Sequence, residues 1–346
     1  MTFLPSNDKV KPKHIYNKEV KMGNQRGNPW TRWSASKLGA LQKCPKYFEF
    51  EYVLKMQDQV NHSVQKLFGS AMHYMFDQFF SLKHGYKSLN SFLGAFRYYW
   101  LIYTVKIQYK DRVRTRDPKD IQKYLAIGIN VLKKFWYENI AYRTGEKPMP
   151  LVEQHFNIRF KGHTVRGVMD RIQPITENKT EIWDYKTGYK KPTPEELLRD
   201  IQFTIYNLAW FKETGKNPDK MRLIHLFSGE HFLVPIRTEA DYLQLGHWFD
   251  EAQVYIQNIL QPQTRYYFKD FIFRWFNPED IERGYFPKRP SFFCCLCDYE
   301  ELCRQSVPQN ILKERWIKQE LARTGPYPQH IQLELSFPKT KRPRLN

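Results

Sequence analysis

At Leu151 the sequence changes period, and that change bounds the fold. Upstream, apolar residues recur at helical spacing. They run through Leu38, Leu41, Tyr47 and Phe48 behind a Ser34-Ala35-Ser36 start, then through Met72, Phe76, Phe79 and Phe80 within 69–83. Phe92, Phe96, Tyr99, Trp100 and Tyr103 follow, and Tyr124, Ile127, Val131 and Phe135 stand behind an Asp117-Pro118 opening. Downstream, Leu151 to Phe160 reads as a strand, Lys161-Gly162 as a tight turn and Thr164 to Ile172 as its partner. Glu181 to Lys186 is a third strand, and Pro194-Glu195-Glu196 opens a helix with Ile201, Ile205 and Leu208 on one side. Met221 to Phe227 and His231 to Ile236 flank a Ser228-Gly229 turn, and 240–260 is a long helix. Helices followed by β-β-β-α-β-β and another helix predict an α/β (α+β) fold with a mixed sheet flanked by helices.

Charge indicates the partner. The chain carries a formal net charge of +19, an excess that points to a polyanion, nucleic acid first. It is unevenly spread: residues 1–32 carry +5, residues 304–346 carry +6 and residues 33–303 the remaining +8. These divide the chain into a basic extended arm (1–32), a central domain (33–303) and a basic C-terminal tail (304–346). The tail's Lys339-Thr340-Lys341-Arg342-Pro343-Arg344 fits a nuclear localisation patch or a backbone-holding arm equally well. A helical insertion at about 85–147 holds Lys106, Lys110, Arg112, Arg114 and Arg116 in near alternation. These are candidate nucleic-acid contacts, with neighbouring aromatics stacking bases, although a plain core face is the stronger reading of Phe92, Phe96 and Trp100. No run approaches the roughly 18 apolar residues of a membrane span, and Met1 to Val10 lack a secretory apolar core. The expectation is a cytoplasmic protein with no membrane partner, nuclear in a eukaryotic or viral setting. A phosphate-binding Gly-x4-Gly-Lys-Ser/Thr loop is absent.

The chemistry is carried by two adjacent strands. Gly167-Val168-Met169-Asp170 ends one, and Asp184-Tyr185-Lys186 ends the next. Asp170 and Asp184 then meet, with Lys186 on the side of Asp184. Two carboxylates hold Mg²⁺ or Mn²⁺ against a phosphodiester, and an ammonium orients water or neutralises developing charge. Turn-forming aspartates and a solvated lysine are the plainer reading. His73 lies on the polar flank of an early helix, Gln202 and Tyr206 sit one turn apart, and Glu153 offers another carboxylate or is an ordinary surface acid.

Gly-x3-His at 69–73, Gly-x2-Asp at 167–170, Asp-x-Lys at 184–186 and Gln-x3-Tyr at 202–206, in this order, resemble the RecB-type branch of the PD-(D/E)XK nuclease superfamily. The resemblance covers 33–303, with Met169 where the superfamily name has proline. It implies a restriction-endonuclease-like core and Mg²⁺ or Mn²⁺ held by His73, Asp170 and Asp184, with the Tyr185 carbonyl. It further implies Lys186 as catalytic lysine, and Gln202 and Tyr206 as residues that position the scissile strand.

The cysteines add a second site. Cys294-x2-Cys297-x5-Cys303 form a triplet, with Cys44 far upstream and Cys295 surplus. Four thiolates suit zinc or an iron–sulfur cluster. Together with Ser34-Ala35-Ser36 and Cys44-Pro45-Lys46-Tyr47-Phe48, the one-plus-three arrangement resembles the iron–sulfur RecB-family nucleases, among them the AddB nuclease domain and the CRISPR-adaptation exonucleases. This implies a 4Fe-4S cluster on Cys44, Cys294, Cys297 and Cys303 that staples segment 287–303 to the first helix. The expected function is a metal-dependent DNA exonuclease, acting on single strands or duplex ends in repair, recombination or the processing of phage and mobile-element DNA. The lack of a motor leaves room for a helicase or recombination partner, and no oligomeric state follows. Two alternatives stay open: a structure-selective or nicking endonuclease on the same site, and a non-catalytic, zinc-bound nucleic-acid-binding protein.

Overall fold

The computed structural model describes residues 31–57, 62–81, 86–104, 113–114, 119–260, 286–291, 294 and 297–305. Its central strand is β5 (His163–Thr176). One edge of β5 pairs with antiparallel β4 (Leu151–Phe160); the other takes β1 (Arg32–Trp33), parallel at Thr164 and Val165, and then antiparallel β6 (Lys179–Lys186) from Arg171 onward. Parallel β7 (Lys220–His225) follows β6, and its hairpin partner β8 (Glu230–Val234) completes a mixed six-stranded sheet.

Apolar alternation gives this sheet two buried faces. On one, Val165, Ile182, Met221 and Leu223 pack against α1 (Ala35–Lys43), α7 (Ile201–Thr214) and α8 (Glu239–Leu260), through Leu38, Leu41, Phe203, Ile205 and Phe249. On the other, Tyr185 and Ile224 meet α3 (Val64–Phe80), α4 (Leu89–Thr104) and α5 (Asp120–Arg143). Phe92, Phe96 and Trp100 are core residues of this second layer, buried with Phe68, Phe76 and Phe79. That outcome favours the plain reading of those three aromatics. Among the described residues no helix is long and apolar enough to cross a membrane.

Three boundaries depart from the sequence reading, each for a local reason. The first helix stops at Lys43, because Cys44 is extended and Pro45 opens a separate short α2 (Pro45–Phe48). The helix expected from Pro194 is two helices: α6 (Pro194–Leu198), with a capping box at Thr193, and α7, capped by Asp200, which accepts from the Phe203 N–H at 3.0 Å. β5 runs on to Thr176 because β6 keeps pairing with it, so Asp170 is a mid-strand residue rather than a strand end. The Asp117-Pro118 opening, the arm 1–30, Cys295 and the tail from 306 lie outside the described residues.

One buried acid gives the fold a pH signature. Glu251 of α8 is buried, its Oε2 has no hydrogen-bond partner among the described residues, and burial aided by Asp250 pushes its carboxyl up to about 7. A raised carboxylate adds stability that is full below its ordinary value of 4.5 and is lost as pH rises through 7. Each pH unit between costs at most about 1.4 kcal/mol. The thermal midpoint is therefore expected to fall between pH 5 and pH 8, and Glu251→Gln to flatten that fall. A variant whose profile overlays the wild type would refute the assignment.

Candidate active site

The site forms where β5 and β6 part. Their ladder ends at Arg171 opposite Trp183; one step beyond stand Asp170 and Asp184. There the Tyr185 N–H leaves the ladder and donates to Asp170 Oδ2 at 2.8 Å. On the other side of β5, the register between Val152–Arg171 and Gln154–Met169 puts Glu153 opposite Asp170. Glu153 has φ +48, a left-handed conformation that residues with side chains seldom adopt. The strained residue therefore carries a carboxylate at the centre of the site.

α3 supplies the imidazole. Ser63 caps this helix by accepting from the Lys66 N–H at 3.3 Å. A Cβ on Gly69 would stand 3.0 Å from Thr187 Oγ1, just past the end of β6. The missing side chain lets α3 approach the sheet, and one turn later His73 reaches the carboxylates. His73 Nδ1 lies 3.4 Å from Asp170 Oδ1 and 4.0 Å from Glu153 Oε1. The potential ligand atoms of His73, Glu153 and Asp170 all fall within 4.8 Å of one another. The motif's other glycine, Gly167, serves packing: a Cβ there would meet the Phe156 ring at 2.6 Å. Phe156 in turn stands edge-on to Tyr206, 6.1 Å between centroids.

A second group surrounds Asp184. Lys186 Nζ is 2.8 Å from Asp184 Oδ2, and Gln202 Nε2 donates to Asp184 Oδ1 at 2.8 Å. Gln202 also bonds the Tyr206 hydroxyl at 2.6 Å and accepts from Lys186 Nζ. Asp184 is almost fully buried, and among the described residues its Oδ2 faces the Lys186 ammonium with no further donor. A carboxylate buried in this way is stabilised by positive charge, here that of Lys186.

The electrostatics follow from crowding acids. Burial pushes Asp184 up to about 7, against the pull of Lys186. Burial and the Asp170 charge push Glu153 up to about 7. Burial acts upward on Asp170 as well, but the His73 hydrogen bond and charge outweigh it and hold the carboxyl below its ordinary value. His73 and Lys186 are each raised: burial opposes their charge, and the surrounding carboxylates prevail. An imidazole with two or three hard carboxylate oxygens suits Mg²⁺ or Mn²⁺.

His73 and Asp170 thus form one cluster with Glu153, and Asp184, Lys186, Gln202 and Tyr206 form a second one beside it. The Tyr185 N–H bonds Asp170, and Asp184 is not among the ligand atoms that lie within 4.8 Å of one another. The sequence offers Glu153 as a further carboxylate or as an ordinary surface acid; what separates the two is its position opposite Asp170, visible only once the register is known. Arg171 was missed. It is fully buried, bonds Asn139 Oδ1 at 2.7 Å and Tyr185 OH at 3.3 Å, and lies 4.2 Å from the Trp183 ring centroid. It anchors the strand one residue from Asp170. Lys106, Lys110, Arg112 and Arg116 lie outside the described residues, and Arg114 falls in the two-residue strand β3 (Val113–Arg114), of which only the backbone is described.

The four other cysteines gather at the far end of α1. Lys46 N–H donates to Pro287 O at 3.0 Å, Arg289 Nη1 to Gln42 O at 2.7 Å, and Tyr47 stands edge-on to Tyr299. Phe50, Met56 and Tyr299 form a small core with Cys297 and Cys303. Cys44, Cys294, Cys297 and Cys303 are half-buried and form no disulfide among the described residues. Burial, joined by the charges of Cys44, Cys294 and Cys303, pushes the Cys297 thiol up to about 12. Asp298 ties this segment to the start of α3, accepting from the Ser63 N–H at 3.1 Å and from Lys66 Nζ at 2.8 Å.

A family model of the PD-(D/E)XK nuclease superfamily matches residues 32–304. The chain belongs to that superfamily. Nucleases of this group use divalent metals to hydrolyse phosphodiester bonds, and a nucleic-acid substrate follows from membership. Among solved structures, an exonuclease candidate from Eubacterium rectale is 12% identical, with 87% of this chain and 94% of that one covered at a TM-score of 0.41. The protein SSO0001 is 12% identical, with 82% and 90% covered at 0.34. A comparison with curated protein sequences gives no match.

Proposed function

We infer that the protein is a metal-dependent deoxyribonuclease that works from DNA ends. The observation that carries this is the clustering of His73, Glu153 and Asp170 ligand atoms within 4.8 Å, beside the Lys186–Asp184 pair in a chain of this superfamily. Asp170, Asp184 and His73 would hold Mg²⁺ or Mn²⁺, with Glu153 as an added carboxylate and the Tyr185 carbonyl as a further oxygen. When bound, the ion would polarise the phosphate and lower the pKa of water. The protein's own groups do the rest. Lys186, kept protonated by Asp184, neutralises charge that develops on the phosphoryl oxygens. Gln202 holds Lys186 and Asp184 in one geometry, and Tyr206 fixes Gln202, so the ammonium is positioned before substrate arrives. The preference for ends rests on the iron–sulfur RecB-type resemblance.

The same resemblance supports a structural 4Fe-4S cluster on Cys44, Cys294, Cys297 and Cys303. Donor chemistry fits: four thiolates crowded together repel, and a positively charged centre is what lets them all deprotonate.

The direct test is incubation of anaerobically purified protein with end-labelled linear DNA and with covalently closed circles, plus Mn²⁺. Degradation of linear DNA alone is expected; cutting of closed circles would convert the reading to an endonuclease, and no cleavage of any DNA would overturn it. Gly69→Ala tests how α3 seats His73. The added methyl pushes α3 outward by a few tenths of an ångström, so Mn²⁺ affinity measured by calorimetry should fall about tenfold. The thermal midpoint should shift by only a few degrees. Unchanged affinity in Gly69→Ala would mean that Thr187 yields instead of α3, and unchanged affinity in His73→Ala would remove His73 from the metal site.

A further inference from the structure

The sheet face that bears Glu153 and Asp170 continues past α3 into the open. Along it, His155, Asn157 and Arg159 of β4 and Arg166 of β5 are exposed. The register fixes who shares this face, since directly paired residues project to the same side. Thr164 pairs with Arg159 on one flank and with Arg32 on the other, and Asn157 stands opposite Arg166. Three arginines therefore surround one stretch of β5, two and four residues closer to the chain's start than Val168. Among the described residues none of Arg32, Arg159 and Arg166 forms an ion pair, and Arg32 and Arg166 are also exposed. Lys37 adds a fourth cation, with Nζ 2.7 Å from Arg32 O and 4.8 Å from the Trp33 ring centroid. Burial, with the positive charges of Arg166 and Arg32, holds its ammonium down to about 8. Within this field lies a groove of about 520 Å³, lined by Ser34, His155, Asn157, Arg166 and Val168.

We propose that this arginine face is the track on which the sugar-phosphate backbone of the substrate strand runs into the metal site. The proposal rests on the nuclease reading and adds where the strand lies. Beside Phe156 and Val168, hydroxyl, amide and imidazole groups line the groove next to the Arg166 guanidinium, a combination suited to phosphodiester oxygens. Spacing sets the reach. Arg166 precedes Asp170 by four residues, roughly 13 Å along a strand, and Thr164 with its flanking arginines by roughly 20 Å. The contacts thus fall a few nucleotides from the bond to be cut, on one side of it.

The test is fluorescence anisotropy of a labelled 20-nucleotide strand bound by the full chain in EDTA, which prevents cleavage, across a salt series. For Arg32→Ala/Arg166→Ala the dissociation constant should rise about tenfold, and the slope of log K against log salt should drop by roughly 1.4, about 0.7 for each lost phosphate contact on a single strand. Lys179→Ala, at the exposed start of β6, should leave both unchanged. A neutral methylphosphonate linkage placed a few nucleotides from the cut should weaken the wild type and leave the double variant unaffected. Wild-type affinity and slope in the double variant, with wild-type cleavage intact, would overturn the track and spare the nuclease reading. A wild type that neither binds nor cleaves would overturn both.

Discussion

Asp184→Asn is expected to reduce metal-dependent cleavage of linear DNA by roughly a thousandfold, the scale of losing a preorganised charge in a dry site. The variant keeps the size of the side chain and its bond from Gln202, so the two cores on either side of β6 need not move. What it loses is specific: the negative charge beside Lys186, whose Nζ lies 2.8 Å from the buried Oδ2. The Lys186 ammonium then loses the neighbour that holds it charged against burial. Cleavage of end-labelled DNA with Mn²⁺, followed alongside the thermal midpoint, separates chemistry from folding. A folded variant within tenfold of the wild type would place the reaction elsewhere.

Cys297→Ala is expected to act on stability. If the four thiolates hold a cluster, removing one leaves a colourless protein that loses several kcal/mol of folding free energy, on the order of ten degrees in thermal midpoint. The loss should spread to the active site, because the neighbouring Asp298 holds Ser63 and Lys66 at the start of α3, and α3 carries His73. Cys295→Ala is the control and should change neither colour nor midpoint. Visible absorbance of the anaerobic protein together with its iron and zinc content checks the assignment. One zinc per colourless wild-type chain would replace iron by zinc, and a Cys297→Ala protein of full stability would remove the metal altogether.

The legible part of the fold was what repeats along the chain. Alternation announced β4 through β8, and the glycine, acid and lysine spacings pointed to the residues that converge where β5 and β6 part. What escaped depends on pairing. Glu153 owes its place to the register with Asp170 and to a left-handed backbone, neither of which local composition encodes. Arg171 looks like any strand arginine until Phe80, Tyr142 and Trp183 close around it. The break at Arg199-Asp200 was misread because apolar spacing continues across it, while the Asp200 cap is a single side-chain contact. The arginine face was hidden because Arg32 lies far upstream and reaches β5 only through the β1 pairing, while Arg159 and Arg166 share a face only through the β4–β5 register.

The seating of segment 286–305 on α1 and α2 has a consequence for how the protein is made. Lys46 cannot find Pro287, nor Tyr47 its ring partner Tyr299, until some 250 further residues have left the ribosome. Contacts so distant along the chain are slow to form. The first helices must therefore wait, apolar surface partly uncovered, while the central sheet assembles behind them. Synthesis thus passes through an interval in which the newborn chain is vulnerable to aggregation and proteases, and maturation is complete only when its late segment returns to close over the beginning.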